Sequence, residues 1–388
     1  MNICAHPALV RALSSELQGG PIPFARFMEL ALYHSDGGYY CQPAPRVGRS
    51  GDFKTSSHQS PWFGRMVARQ IEAIREAAGS ADSFSVVEFG PGEGWLAHDI
   101  LGAIESAGPL PAPLEYILIE QSAPARERIR ERLARWMEGS PDAPAARLEA
   151  NPPENIEGLI LAHEFLDALP VHILAGTESG LAERYVELCG ENLSFTEGPL
   201  SDERLEGWLG ELGVELETGQ IAEVCLQANE WTETIGRRLR RGGMLIFDYG
   251  FSSRVLYHPS RREGTIRGYR AHMMTENPLE NPGETDLTAH VDFSSILRSA
   301  ETCGLSLAGF TDQSHYLLDL GLAEALQAET GSEMEGAGER RSAMGLLDPA
   351  GLGSAIKVML LTRGLEGAGL PGFSMKPDDR ESLATLRP

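Results

Sequence analysis

The chain has 388 residues, 42% hydrophobic and 23% charged, so it can bury a globular core, either as one large domain with insertions or as two smaller ones. A net charge of −23 argues against non-specific binding to nucleic acid or to an anionic membrane, which needs an excess of Lys and Arg; it suits a basic protein partner and is also a general solubility feature. Five scattered cysteines (4, 41, 189, 225, 303) form no Cys-x-x-Cys, and the histidines form no His-Glu-x-x-His, so a reducing compartment and no metal site are expected.

The N-terminus, Met1-Asn-Ile-Cys-Ala-His-Pro7, has neither a charged start with a long apolar run nor an Arg/Ser-rich transit pattern. No stretch reaches the length of a membrane span, and a cytoplasmic location is expected. Residues 8–34 read as helical, with a break at Gly19-Gly20-Pro21. Asp36-Gly-Gly-Tyr-Tyr40 is a turn with paired aromatics, and Gly48–Ser57 is a polar, glycine-bearing loop of the kind that often contacts ligands. Asp52 there could equally cap a turn. A helix is expected from Pro61 through Ile74.

Next comes Phe84-Ser-Val-Val-Glu-Phe-Gly-Pro-Gly-Glu-Gly-Trp-Leu96. The apolar run at Val86, Val87 and Phe89 suits a buried parallel strand. Gly90, Gly92 and Gly94 break it, and apolar residues at 96, 100, 101 and 104 resume at helical spacing. Strand, glycine turn and helix open a nucleotide-binding unit. The pattern is Gly-x-Gly-x-Gly, and Glu88 stands just before the turn. Both features favour S-adenosylmethionine (AdoMet), with its ammonium and sulfonium, over a dinucleotide whose pyrophosphate would lie on the helix N-terminus.

Leu114–Glu120 reads as a second strand ending in an acid, followed by a helix over 125–137. A carboxylate at that tip can hold both ribose hydroxyls, or it can cap the helix. Strands follow at 147–150 and 156–162. The latter runs into His163-Glu164-Phe-Leu-Asp167, at the strand end where open α/β sheets bind ligands. Polar residues crowded there are costly to bury without a task, although a helix N-terminus would also accept the acids. Residues 175–220 interrupt the alternation and include a hairpin around Gly190. A helix is expected over 221–241 and a strand over 244–247 that ends in Asp248. A second insertion spans 251–290, then come a helix at 294–302, a strand at 305–310, a helix at 315–326 and a last strand at 354–361. Residues 362–388 read as a loosely ordered tail.

Seven strands with helices between the first ones, and a final strand close behind the sixth, predict an α/β class I methyltransferase fold. This is a Rossmann-like seven-stranded sheet with its last strand antiparallel. Residues 1–80 would form a helical extension with a cofactor-covering loop, and 81–361 the methyltransferase domain.

The motifs Gly20-Pro-Ile-Pro-Phe24, Gly37-Gly-Tyr-Tyr40, Gly51-Asp-Phe-Lys-Thr-Ser56, Val87-Glu-Phe-Gly-Pro-Gly92, Glu164-Phe-Leu-Asp-Ala-Leu-Pro-Val171, Asp248-Tyr-Gly250 and Asp286-Leu-Thr-Ala-His-Val-Asp-Phe293 occur in one order. In that order they resemble the MidA family of AdoMet-dependent methyltransferases, which includes a mitochondrial protein arginine methyltransferase that assists complex I assembly. The resemblance implies AdoMet as cofactor, held by Glu88, Gly90, Gly92, Gly94, Glu120 and a loop bearing Thr55 and Ser56. It also implies a protein methyl acceptor. The chain departs from the family at Ser57, His58, His163 and Glu93–Trp95, and those at 57, 58 and 163 bear on substrate choice and on activity.

Methyl transfer is an in-line displacement, so positioning dominates. A guanidinium acceptor arrives protonated; Glu164 and Asp167 are expected to orient it, with His163 as proton acceptor. A small-molecule methyltransferase and a non-catalytic AdoMet-binding assembly factor are the alternatives. A nicotinamide oxidoreductase is disfavoured by the glycine spacing. Oligomerisation is left open.

Overall fold

The computed structural model describes residues 6–43, 55–79, 84–108, 113–139, 144–270, 273–275, 277–328, 335–375 and 386. Its centre is a mixed sheet. In chain order the strands are β1 (Phe84–Phe89), β2 (Leu114–Ile119), β3 (Ala145–Glu149), β4 (Ile156–His163), β5 (Leu239–Phe251), β6 (Ser306–Asp312) and β7 (Ile356–Arg363). They lie in the order β6-β7-β5-β4-β1-β2-β3. β5, β4, β1, β2 and β3 pair in parallel, and β7 is inserted antiparallel between β5 and β6. This is the expected class I architecture, extended by a two-residue strand, Val291–Asp292, beside the end of β5.

Strand alternation explains why both faces are covered. Phe84 and Val86 of β1 face a core shared with the helices Pro61–Ala78, Trp95–Ser106 and Ala123–Met137. Val87 and Phe89 face the opposite core, shared with Leu226–Arg238 and Phe293–Thr302. Strands buried on both sides are mostly apolar, as β1 and β4 are. Where β1 and β4 meet, only glycine fits, because a Cβ at Gly158 would stand 1.9 Å from the Ser85 carbonyl oxygen. We expect Gly158→Ala to cost about 3 kcal/mol or more by forcing these strands apart. A melting temperature within about 2 °C of wild type would contradict that packing.

A second, five-stranded sheet is built from Ile22–Pro23, His172–Thr177, Gly180–Cys189, Asn192–Gly198 and Ile221–Val224. The expected hairpin around Gly190 is part of it. The helix expected over 221–241 is instead strand Ile221–Val224, helix Leu226–Arg238 and the start of β5. Residues 221–224 pair with His172–Ala175, a partner too distant in sequence for local periodicity to reveal. The helix expected over 315–326 is two helices, broken at Gly321 with φ +84°.

The N-terminal helices Pro7–Gln18 and Phe24–Tyr33 pack in a third core with Val171, Ile173, Val186 and Leu287. The insertion at 251–290 forms a small sheet of Met273–Thr275, Arg267–Arg270 and Asp286–Thr288. Within the expected tail, residues 364–375 are packed rather than loose. Leu365 is buried, Phe373 stacks 5.5 Å from Tyr316, and Asp319 accepts the backbone N–H groups of Gly372 and Ser374. Among the described residues no helix is long and apolar enough to cross a membrane.

Candidate active site

The glycine turn follows β1. Gly90, Gly92 and Gly94 have φ of +62°, +56° and +77°, a region that side chains other than glycine rarely adopt. The Gly90 N–H donates to Ile119 O, which ties the turn to the end of β2. A Cβ at Gly90 would stand 2.7 Å from the Phe165 ring, whereas one at Gly92 would meet no atom of the described residues within 4 Å. The turn therefore presses against residue 165 on one side and leaves room at Gly92 on the other.

Glu120 stands one residue past β2, beside that open position. Its carboxylate accepts the Ser122 N–H at 2.8 Å, and the Gln121 and Gly92 N–H groups also bond it. Burial raises its pKa and these bonds oppose the rise. The Ser122 hydroxyl donates to Tyr40 O, so the N-terminal extension closes over this corner.

Thr55 and Ser56 are buried. Gly51–Lys54, the rest of the expected covering loop, lie outside the described residues. The Ser56 N–H donates to Glu164 Oε1 at 3.2 Å, and its hydroxyl donates to Gln313. Thr55 Oγ1 lies 2.7 Å from His58 Nδ1, and the His58 ring abuts Trp95, over which the Arg132 guanidinium stacks. Burial, aided by Arg132, pushes the His58 pKa down to about 4.

His163 ends β4, packed 4.8 Å from the Phe63 ring. Its Nε2 lies 3.3 Å from Glu164 Oε1 without hydrogen-bond geometry. Burial pushes its pKa down to about 3, so the ring is neutral. Glu164 has φ +48°, and its N–H donates to Phe247 O. Asp167 is buried three residues on. Burial raises the pKa of Glu164, and Asp167 and Asp286 add to the rise. Burial raises that of Asp167, with Asp248 and Asp286 adding.

The structure thus brings Thr55, Ser56, His163, Glu164 and Asp167 together, and separately Gly92 and Glu120; Phe165 against Gly90 joins the two groups. Glu88 is also buried, and its Oε2 accepts the Tyr116 hydroxyl at 2.8 Å.

An open glycine turn and a carboxylate held beside it by backbone N–H groups fit the ribose of a nucleoside. Acids with no Lys or Arg partner fit a cationic group, the charge that a guanidinium acceptor carries. Among the described residues, no Lys or Arg pairs with Glu164, Asp167 or Asp248, and no group of three His, Cys, Asp or Glu is arranged to hold a metal ion.

Comparison with known proteins agrees with this geometry. Residues 66–311 match the family described as "Putative S-adenosyl-L-methionine-dependent methyltransferase". The chain belongs to that family. It is 32% identical to a "likely methyl transferase" from Burkholderia thailandensis, bound to S-adenosyl-homocysteine, with a TM-score of 0.87 and 96% of each chain covered. It is 30% identical to the human protein arginine methyltransferase NDUFAF7, mitochondrial, over 78% of this chain and 70% of that one. It is 29% identical to the Drosophila melanogaster homolog of that protein, over 95% and 88%. The protein is an AdoMet-dependent methyltransferase.

Four residues of this methyltransferase's candidate site, Tyr40, Asp248, Tyr249 and Asp286, were not assigned from sequence. Asp248, at the end of β5, accepts the N–H groups of Phe165, Leu166 and Asp167 on Oδ2 and that of Tyr249 on Oδ1. Asp286 accepts the Tyr40 hydroxyl at 2.7 Å across 246 residues of chain. The Tyr249 hydroxyl pKa is pushed up by burial first, then by Glu164, Asp167 and Asp248. Tyr40, Asp248 and Asp286 all lie in motifs that carried the family resemblance, and that was their signal.

Burial raises the Glu88 pKa to about 7, against the Tyr116 bond that lowers it. A carboxyl raised on folding stabilises the fold at low pH, and that share is lost as pH rises through about 7. In the cofactor-free protein, Glu88→Gln cannot ionise. Its stability relative to wild type, followed by melting temperature, is expected to climb between pH 5 and 8, on the order of 3 kcal/mol in all. A pH-independent difference would mean that Glu88 ionises as easily folded as unfolded.

Proposed function

We propose that this methyltransferase modifies an arginine side chain of a protein partner. Glu164 and Asp167 orient the guanidinium, and Glu164 takes the proton that the nitrogen loses. The observation that carries this reading is that the Glu164 side chain and Asp167 are buried and that, among the described residues, no Lys or Arg pairs with them. A buried unpaired carboxylate holds its proton until a cation arrives. A guanidinium offers planar N–H pairs that match two carboxylates. The names of the human and Drosophila relatives support the same acceptor.

AdoMet, when bound, supplies a methyl group activated by its sulfonium. The residues of this chain hold the acceptor nitrogen in line with it and remove one proton as the nitrogen–carbon bond forms. Glu164, whose proton affinity is raised, is the better acceptor. His163, pushed down to about 3, is the weaker base, so it serves as a neutral wall beside Glu164 Oε1.

The test is mass spectrometry of proteins from the producing organism with and without this chain. Arginines that carry one or two added methyl groups are expected to lose them. Unchanged arginine methylation, with methyl groups lost instead from a small molecule or another side chain, would overturn the acceptor assignment.

A further inference from the structure

We propose that Asp248 is a positioning residue for methyl transfer: its carboxylate grips the turn 164–167 from the neighbouring strand and sets where Glu164 and Asp167 stand relative to the cofactor turn. This rests on the reading of Glu164 given above.

Three successive backbone N–H groups converge on one oxygen, from Phe165 at 3.2 Å, Leu166 at 2.8 Å and Asp167 at 3.4 Å, and Tyr249 N–H takes the other at 2.9 Å. Asp248 is fully buried and no Lys or Arg pairs with it among the described residues, so backbone dipoles are what it binds. β4 and β5 run parallel, with His163 opposite Phe247. Asp248 therefore sits one residue past the last pair, where the chain leaves β4. The turn it holds begins at Glu164, the one described residue besides Asn281 that is not glycine and has positive φ. Such a conformation persists only where its surroundings enforce it. Glu164 N–H to Phe247 O fixes one end, and Asp248 fixes the next three residues. The Phe165 ring, in the middle of the turn, is wedged against Gly90 and Trp231. A shift of the turn would therefore move the acceptor carboxylates and the cofactor's glycine turn relative to each other. Small displacements of that kind are costly to an in-line transfer.

An Asn at 248 turns an NH₂ toward backbone donors. Asp248→Asn is expected to lower kcat by about 30-fold or more, measured as tritiated methyl transferred from AdoMet to proteins of an extract lacking this chain. The KM for AdoMet, and its Kd by calorimetry, should stay within about threefold of wild type. Amide hydrogen exchange at residues 165–167 should speed up by about tenfold, a change a purely global effect would spread over the whole sheet. Glu164→Gln is run beside it. Loss of transfer in Glu164→Gln with wild-type kcat in Asp248→Asn overturns the role of Asp248 alone. Wild-type kcat in Glu164→Gln, or a wild-type protein that labels nothing, overturns the reading beneath it as well. Should Asp248→Asn not fold, Asp248→Glu keeps the charge but displaces it by one methylene. The same fall in kcat is expected there, and wild-type kcat overturns the proposal.

Discussion

Glu164→Gln is expected to lower kcat for methyl transfer by about 10³-fold, the usual share of a positioned acid–base group combined with lost charge complementarity. Binding of AdoMet should change by less than about threefold, because Gly92 and Glu120, whose geometry fits the cofactor's ribose, lie apart from Glu164. The fold should survive, since a Gln oxygen can still accept the Ser56 N–H that Glu164 Oε1 accepts. The wild-type rate carries a pH signature with a definite sign. Burial and neighbouring acids raise the pKa of the carboxyls at 164 and 167. As pH falls a larger share of them is neutral and has no hold on a cation. The rate is therefore expected to rise with pH, and the residual rate of Glu164→Gln to rise less steeply. A Glu164→Gln enzyme with wild-type kcat, or one that no longer binds AdoMet, would sink the assignment.

Glu120→Ala is expected to do the reverse. The carboxylate stands beside Gly92, whose outer side no atom of the described residues fills. Two charge-assisted hydrogen bonds to ribose hydroxyls would be lost, about 3 to 4 kcal/mol together, which corresponds to AdoMet affinity weaker by about 10² to 10³. At saturating AdoMet, kcat should stay within about threefold, since the acceptor carboxylates are on another strand. Helix Ala123–Met137 keeps its cap, because Ala125 N–H bonds the Ser122 hydroxyl and not Glu120. Calorimetry with S-adenosyl-homocysteine measures this directly. A Kd within about threefold of wild type would remove Glu120 from the cofactor site.

The central sheet was legible because its causes are local. Val86, Val87 and Phe89 mark a strand buried on both faces, and Gly90, Gly92 and Gly94 mark the turn that follows. Residues 221–224 were misread for the opposite reason. Their strand exists through pairing with 172–175, and nothing within the segment announces the partner. Residues 364–375 of the tail were misread on composition: in a stretch rich in Gly and Pro, Leu365 is buried, Phe373 packs against Tyr316, and Asp319 accepts the Gly372 N–H.

The site divides in the same way. Residue types at strand tips singled out Glu120, His163, Glu164 and Asp167 as candidates, because an open sheet puts ligands at those ends. The protonation of these groups was not legible, since it depends on burial and neighbours. His163 looked like a base and is held neutral at about 3, while Glu164 beside it is raised. The Tyr40–Asp286 bond and the grip of Asp248 on 165–167 join segments 246 and about 80 residues apart. The sequence by itself determined the sheet, the glycine turn and the class of cofactor, because alternation, backbone freedom and strand-end placement are properties of short stretches. Only the tertiary structure decided which acids meet, which stay protonated and what holds them in place, because desolvation and long-range backbone hydrogen bonds arise once the chain has closed.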